Sequence, residues 1–342
     1  MAGGLRQVPG TLARRERRGR KMAADGGSEA QPRVAVVTGG SRGIGRSVVE
    51  QLAGDGLNVV VVYASNKSEA QAAVAAVESR GAAAIAFGAD VANEQAISEL
   101  FDEAERTFGG VDVVVNAAGM MALAPLVDFD LAVLDQMHRT NIRGTFVVDQ
   151  QAARRVRKGG AIINFSSSVI GRIVPTYTGY AASRAAVEAM TFILAHELRG
   201  RDVTVNAVAP GPTATDMFLD GKDQETLDRF ANAVPLERLG TPEDIAPVVA
   251  FLASPAGHWI NGQTIRVNGG INSPSKNLGE TEGLDVTVHN VGGSLSGRAD
   301  AVPPEQLAEM YGVDILGAEH VNHAALPRSL RSQCRGSSPS PW

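Results

Sequence analysis

"VVTGGSRGIGRSVVEQLA" (residues 36–53) passes from a β-branched apolar run through a glycine-rich turn into a segment that opens a helix. Gly39, Gly43 and Gly45 allow a tight turn and let a pyrophosphate approach the backbone. The helix start beyond them offers free N–H groups and the favourable end of the helix dipole. Glycine-rich loops also serve plain turns, so position matters. This one sits between a strand and a helix at the front of an alternating chain, where ligands bind at the carboxyl ends of strands. It reads as a dinucleotide-binding turn.

Outward from that turn, "RVAVV" (33–37), "NVVVVY" (58–63), "AAIAF" (83–87), "VDVVV" (111–115), "AIINF" (161–165), "VTVNAV" (203–208) and "TIRV" (264–267) read as strands. Most are continuously apolar, as parallel strands covered on both faces must be. Segments of helical length lie between them, among them 43–54, 68–80, 93–107 and 179–199. The alternation predicts an α/β fold: a Rossmann-type doubly wound, seven-stranded, mostly parallel sheet with helices on both faces and right-handed crossovers. One such domain is expected over 33–272.

The loop after the second strand bears on which dinucleotide. A site preferring NAD usually places an acid there to bond the ribose 2′-hydroxyl. This chain has Ser65, Asn66 and Lys67 instead, and Arg42 in the first turn adds a second cation. Both suit a 2′-phosphate, so NADP(H) is the expected cofactor.

With 44% apolar and 20% charged residues, the 342-residue chain fits a soluble globular protein, and its net charge of −5 argues against a general nucleic-acid binder. No apolar run approaches the roughly 18–20 residues needed to span a bilayer. Cys334 alone cannot make an internal disulfide and is compatible with a reducing compartment. The expected location is the cytoplasm. Residues 1–32 read as a disordered extension, basic before Met22 through Arg6, Arg14, Arg15, Arg17, Arg18, Arg20 and Lys21 against Glu16. An Arg-rich, acid-poor start also fits organelle import. The histidines show no metal-ligand pattern, so no metal is expected.

Residues 273–342 are rich in Gly, Ser and Pro but contain an internal echo. "GVDVVVNAAG" (110–119) matches "GLDVTVHNVG" (283–292), and "NIRG" (141–144) matches "DILG" (314–317), both at an offset of 173. A single strand–helix slice cannot build a sheet of its own, so this segment is expected to be a loosely ordered tail.

Taken together, TGGSRGIG (38–45), NAAG (116–119), Asn141, Ser167, Tyr180 and PGPTAT (210–215) resemble the short-chain dehydrogenase/reductase family, over about 240 residues. Within it the chain looks most like NADPH-dependent aldehyde/ketone reductases and 3-oxoacyl-carrier-protein reductases. The resemblance implies hydride transfer between nicotinamide C4 and a carbonyl or carbinol carbon, with a small-molecule substrate. Tyr180 would be the general acid, Ser167 would polarise the carbonyl, and Asn141 would hold a water on a proton path. Ser168 rivals Ser167, although the spacing to Tyr180 favours Ser167. The implied cofactor site comprises Thr38, Gly39, Ser41, Arg42, Gly43, Ile44 and Gly45, then Ser65, Asn66 and Lys67. Asp90, Val91, Asn116, Ala117 and Gly119 would follow on the adenine side and beyond it. Pro210, Gly211, Thr213 and Thr215 would form a clasp, with Thr215 at the nicotinamide end.

The family pattern YxxxK has a departure here, because "YAASR" (180–184) carries Arg184 in the lysine position. A phenol titrates at about pH 10, and a cation about 4 Å away is worth up to ~4 kcal/mol at an effective dielectric of ~20. Arginine keeps the charge but effectively never deprotonates. Assistance to the phenol should survive in part, while lysine's proton relay should not. The alternative is that Arg184 turns outward to Glu188. Beyond the motifs, the helix over 180–200 has enough apolar surface to pack on a twin in a homodimer or homotetramer. The segment 212–240 looks like a mobile lid bringing Met217, Phe218 and Leu219 to a substrate pocket that Tyr177 lines.

Overall fold

The computed structural model describes residues 32–172 and 174–271. The β-branched runs form β1 (Val34–Thr38), β2 (Asn58–Tyr63), β3 (Ala84–Gly88), β4 (Val111–Asn116), β5 (Val156–Phe165), β6 (Thr204–Pro210) and β7 (Thr264–Val267). They pair in parallel as one seven-stranded sheet, in the order β3-β2-β1-β4-β5-β6-β7. The order reverses between β1 and β4, where Thr38 lies opposite Asn116. The expected doubly wound sheet is present. β5 starts earlier than its apolar run because Val156 pairs with Val111 ahead of a register shift.

The period of two along each strand sends alternate side chains to opposite faces. Val37, Val59, Val61 and Ile163 face helices α1 (Gly43–Gly54), α2 (Lys67–Glu78) and α9 (Pro242–Ala253). Val36, Val60, Val62 and Ile162 face α3 (Glu94–Phe108), α5 (Thr145–Arg155) and α6 (Thr178–Glu197). Both faces are therefore apolar, which is why the strands show no polar alternation.

Between α4 (Leu131–His138) and α5 lies a π-helical turn, Arg139–Gly144. Short α7 (Asp216–Leu219) follows β6, and α8 (Gln224–Asn232) follows that. By their contacts the described residues fall into two units, one running to Lys222 and joined by Gly240–Val267, the other Asp223–Leu239 with residues 268–271. Within the stretch expected as one domain, 33–272, α8 and residues 268–271 cluster with the second unit. The segment expected as a lid is also split: α7 belongs to the first unit, and α8, capped by Asp223 accepting from the Thr226 amide at 2.9 Å, to the second. The basic start at 1–21, the echo at 283–317 and Cys334 lie outside the described residues.

Candidate active site

The carboxyl ends of β1, β4, β5 and β6 carry the residues singled out from the motifs. At the end of β1 the backbone turns sharply. Gly39 has φ 65, and a Cβ there would lie 2.9 Å from the Ala118 amide nitrogen. At Gly45 a Cβ would meet the Gly39 carbonyl oxygen at 2.2 Å. Only glycine lets the helix start come this close to the strand end. Helices α2, α3 and α4 open with a side chain accepting from their first turn, from Asn66, Asn93 and Asp130. Helix α1 opens on Arg42 with no side-chain cap and no acid in its first turn. Its first amides are left for another acceptor, with the positive end of the helix dipole behind them. The clasp after β6 folds toward this turn, so that a Cβ on Gly43 would meet Thr215 Cγ2 at 3.5 Å.

Individual roles differ within the expected cofactor set. Arg42 and Lys67 are exposed, and among the described residues neither has an acidic partner. Ser65 is exposed beside them, while Asn66 caps α2 by accepting from the Glu69 amide. Thr38 is buried and its hydroxyl accepts from the Ala118 amide at 3.1 Å, so it staples β1 to the loop after β4. Asp90 pairs with Arg139, and Val91 packs against Gly144. Thr213 is buried, donating to the Gly211 carbonyl. The Asn116 side chain turns into the core.

That core position is not evident from the motif. Asn116 Nδ2 donates to Asp149 Oδ1 at 2.8 Å and to Asn164 Oδ1 at 2.9 Å, and Asn164 Nδ2 donates to Asp149 Oδ2 and Thr191 Oγ1, each at 3.0 Å. The network ties β4, β5, α5 and α6 together. Burial pushes the Asp149 carboxyl up to about 7, although the amides of Asn164 and Asn116 oppose the rise. The signal in the sequence is Asn164, a polar residue inside an apolar strand.

At the proposed chemical centre, Tyr180 is 9% exposed and its hydroxyl has no hydrogen-bond partner among the described residues. Arg184 turns inward and does not pair with Glu188, which instead accepts from the Ser166 hydroxyl at 2.8 Å. Arg184 Nη1 donates to the Phe165 carbonyl at 2.9 Å, its Nε is buried without a partner among the described residues, and its guanidinium carbon lies 5.3 Å from the Tyr180 ring centroid. The cation thus rests on the ring of Tyr180, with no carboxylate paired to it among the described residues. Residue 119 is glycine, and a Cβ there would stand 2.3 Å from Nη2 and make the guanidinium shift.

The three serines after β5 separate cleanly. Ser168 donates to the Ala209 carbonyl at 2.8 Å and Ser166 to Glu188, while Ser167 only accepts, from the Val169 amide at 3.3 Å. Ser167 is half-buried and keeps its proton for another partner. Asn141 sits in the π turn. Both its amide protons are used, to the Met120 carbonyl and Ser183 Oγ, and Oδ1 accepts from the Met120 amide. Its side chain clamps the loop after β4. No group of three or more His, Cys, Asp or Glu among the described residues could hold a metal ion.

A doubly wound sheet with a glycine cradle at the point where strand order reverses defines a Rossmann-type nucleotide-binding protein. A family model described as enoyl-(acyl carrier protein) reductase matches residues 39–272. A short-chain type dehydrogenase/reductase of Picea abies is 45% identical over 251 residues, spanning 70% of this chain and 92% of the relative. The chloroplastic NADPH-dependent aldehyde reductase 2 of Arabidopsis thaliana is 41% identical, spanning 70% and 93%. The crystal structure of a Burkholderia cenocepacia short-chain dehydrogenase in complex with NADP superposes with a TM-score of 0.67 at 38% identity, covering 71% of this chain and 99% of that one. The chain belongs to the short-chain dehydrogenase/reductase family of oxidoreductases.

Proposed function

We propose that the protein is an NADPH-dependent reductase of apolar aldehydes or ketones, reversible as an alcohol dehydrogenase. The observation that carries this reading is the Tyr180 hydroxyl, without a partner among the described residues, under a buried Arg184 that no carboxylate there neutralises. The residues present fit the cofactor. Glycines at 39, 43 and 45 leave room for a pyrophosphate on uncapped α1, and the free cations Arg42 and Lys67 suit a 2′-phosphate. The NADP- and NADPH-bound relatives support the same choice.

When bound, NADPH supplies the hydride that the carbonyl carbon accepts. Ser167 donates to the carbonyl oxygen and draws charge toward it. Tyr180 delivers the proton that completes the alcohol, leaving a phenolate that solvent reprotonates. Arg184 stabilises that phenolate from the ring face and, being permanently charged, passes no proton on. Asn141 positions Met120 and Ser183 and takes no proton itself. Met120, Met121, Leu123 and Phe129, packed with Tyr177 and Tyr180, select apolar substrates.

Arg184 also supports a second reading, a cofactor-binding protein of low turnover, because its Nη1 is already committed to the Phe165 carbonyl. NADPH oxidation by the purified chain over a panel of aldehydes and ketones separates the two: saturable turnover supports the reductase, and tight NADPH binding with no turnover supports the binding protein. Phe146, Phe192 and Ile193, between 53% and 57% exposed on α5 and α6, support a homo-oligomer. The chemistry suits a compartment supplied with NADPH, the cytoplasm or an organelle reached through the basic start. No described helix is long and apolar enough to cross a membrane.

A further inference from the structure

Tyr177 flanks the start of α6, yet its side chain makes no capping bond. Helix starts favour Ser, Thr, Asp or Asn at that place, so the tyrosine is not there to finish the helix. It is 9% exposed, and its hydroxyl is buried without a hydrogen-bond partner among the described residues. Buried phenols normally find one, because a donor left unmet is costly. The ring meets that of Tyr180 edge to face, with centroids 6.3 Å apart and planes at 72°. Met120, Leu123, Phe129, Leu134, Met137 and Val169 pack around the pair. The preceding Thr176 has φ 74, a left-handed conformation that β-branched residues rarely adopt. Its carbonyl accepts from the Ala124 amide at 3.2 Å, which ties this strained turn to the loop after β4. The fold therefore tolerates strain to hold a second, unsatisfied phenol beside the first.

We propose that Tyr177 determines specificity, donating its hydroxyl to a second oxygen of the substrate while Tyr180 serves the reacting carbonyl. The proposal rests on the reductase reading above and narrows its substrate class to apolar carbonyl compounds bearing a second oxygen, such as hydroxyketones, alkoxyketones and diketones. Burial holds the Tyr177 phenol above its usual range, and Tyr180 adds to this against the opposing charge of Arg172. The group is thus an O–H donor at neutral pH. A ketone with a methyl group in place of that oxygen leaves the donor unmet and is rejected, whereas an ether oxygen still accepts.

The test uses the full chain with NADPH and aryl ketones in two isosteric pairs, hydroxyl against methyl and methoxy against ethyl at one ring position. The wild type is expected to favour the oxygen member of each pair by about tenfold or more in kcat/KM, the effect of one buried hydrogen bond. In Tyr177→Phe both ratios should collapse toward one, while quenching of NADPH fluorescence reports that the cofactor site has survived. Ratios that persist in Tyr177→Phe, or a wild type indifferent within both pairs, overturn the proposal and leave the reductase reading standing. Tyr180→Phe tests that reading separately: undiminished turnover of all four ketones overturns it, and the proposal with it. If Tyr177→Phe fails to fold, the wild-type ratios alone decide, since equal rates for oxygen and carbon members contradict a donor at position 177.

Discussion

Arg184 and Gly119 depend on each other. The guanidinium lies where a Cβ at position 119 would stand, 2.3 Å from Nη2. Gly119→Ala should lower kcat/KM by about tenfold by displacing the cation from Tyr180, and Arg184→Lys should recover part of that loss. A double-mutant cycle on kcat/KM should show a coupling of about 1–2 kcal/mol, and simple additivity would mean the two residues act apart. Arg184→Lys alone should raise kcat several-fold by restoring a cation able to relay protons; an unchanged kcat would show that position 184 is no handicap. Arg42→Ser with Lys67→Asp should lower the preference for NADPH over NADH by about tenfold or more, read from the ratio of the two kcat/KM values. The identities of these residues are legible in the motifs, but their directions are not. Ser167 and Ser168 differ only because the Ala209 carbonyl, on the next strand, takes one hydroxyl. Arg184 faces inward because the Phe165 carbonyl receives it, a contact that local spacing cannot reveal.

At the scale of elements, the buried network joins α5 and α6 to the centre of the sheet. Asp149 has a folded value near 7 against an ordinary 3.8, so between those values the folded state holds a proton that the unfolded state has released. Stability from this group is therefore fully present below about pH 4 and is lost as pH rises through about 7. The loss is at most a few kcal/mol, at about 1.4 kcal/mol per unit. Denaturant midpoints measured from pH 4 to 8 should fall across that window in the wild type and be flatter in Asp149→Asn. An equal slope in both would place the titration elsewhere. Strands and the first helices are legible because their apolar runs and turn residues are local. The π turn at 139–144 is not, since it forms to seat Asn141 on Met120 and Ser183, which come from other parts of the chain.

For the whole molecule, strand order follows from right-handed crossovers on alternating strands and helices, so the doubly wound architecture is legible in that alternation alone. The separate clustering of residues 223–239 is not, because they look like any helical connection in sequence. Exposed Phe192 and Ile193 on α6 form the face expected to meet a second copy, and Phe192→Glu with Ile193→Lys should lower the mass seen by light scattering. An unchanged mass would place any interface on another surface. The central claim is that NADPH binds at the glycine turn and that Tyr180 supplies the proton. It is tested most directly by measuring NADPH binding and single-turnover NADPH oxidation with one reactive apolar ketone, in the wild type and in Tyr180→Phe. The account predicts comparable NADPH affinity in both, with oxidation in the wild type reduced by orders of magnitude in the variant. Oxidation that survives in Tyr180→Phe, or a wild type that does not bind NADPH, would contradict it.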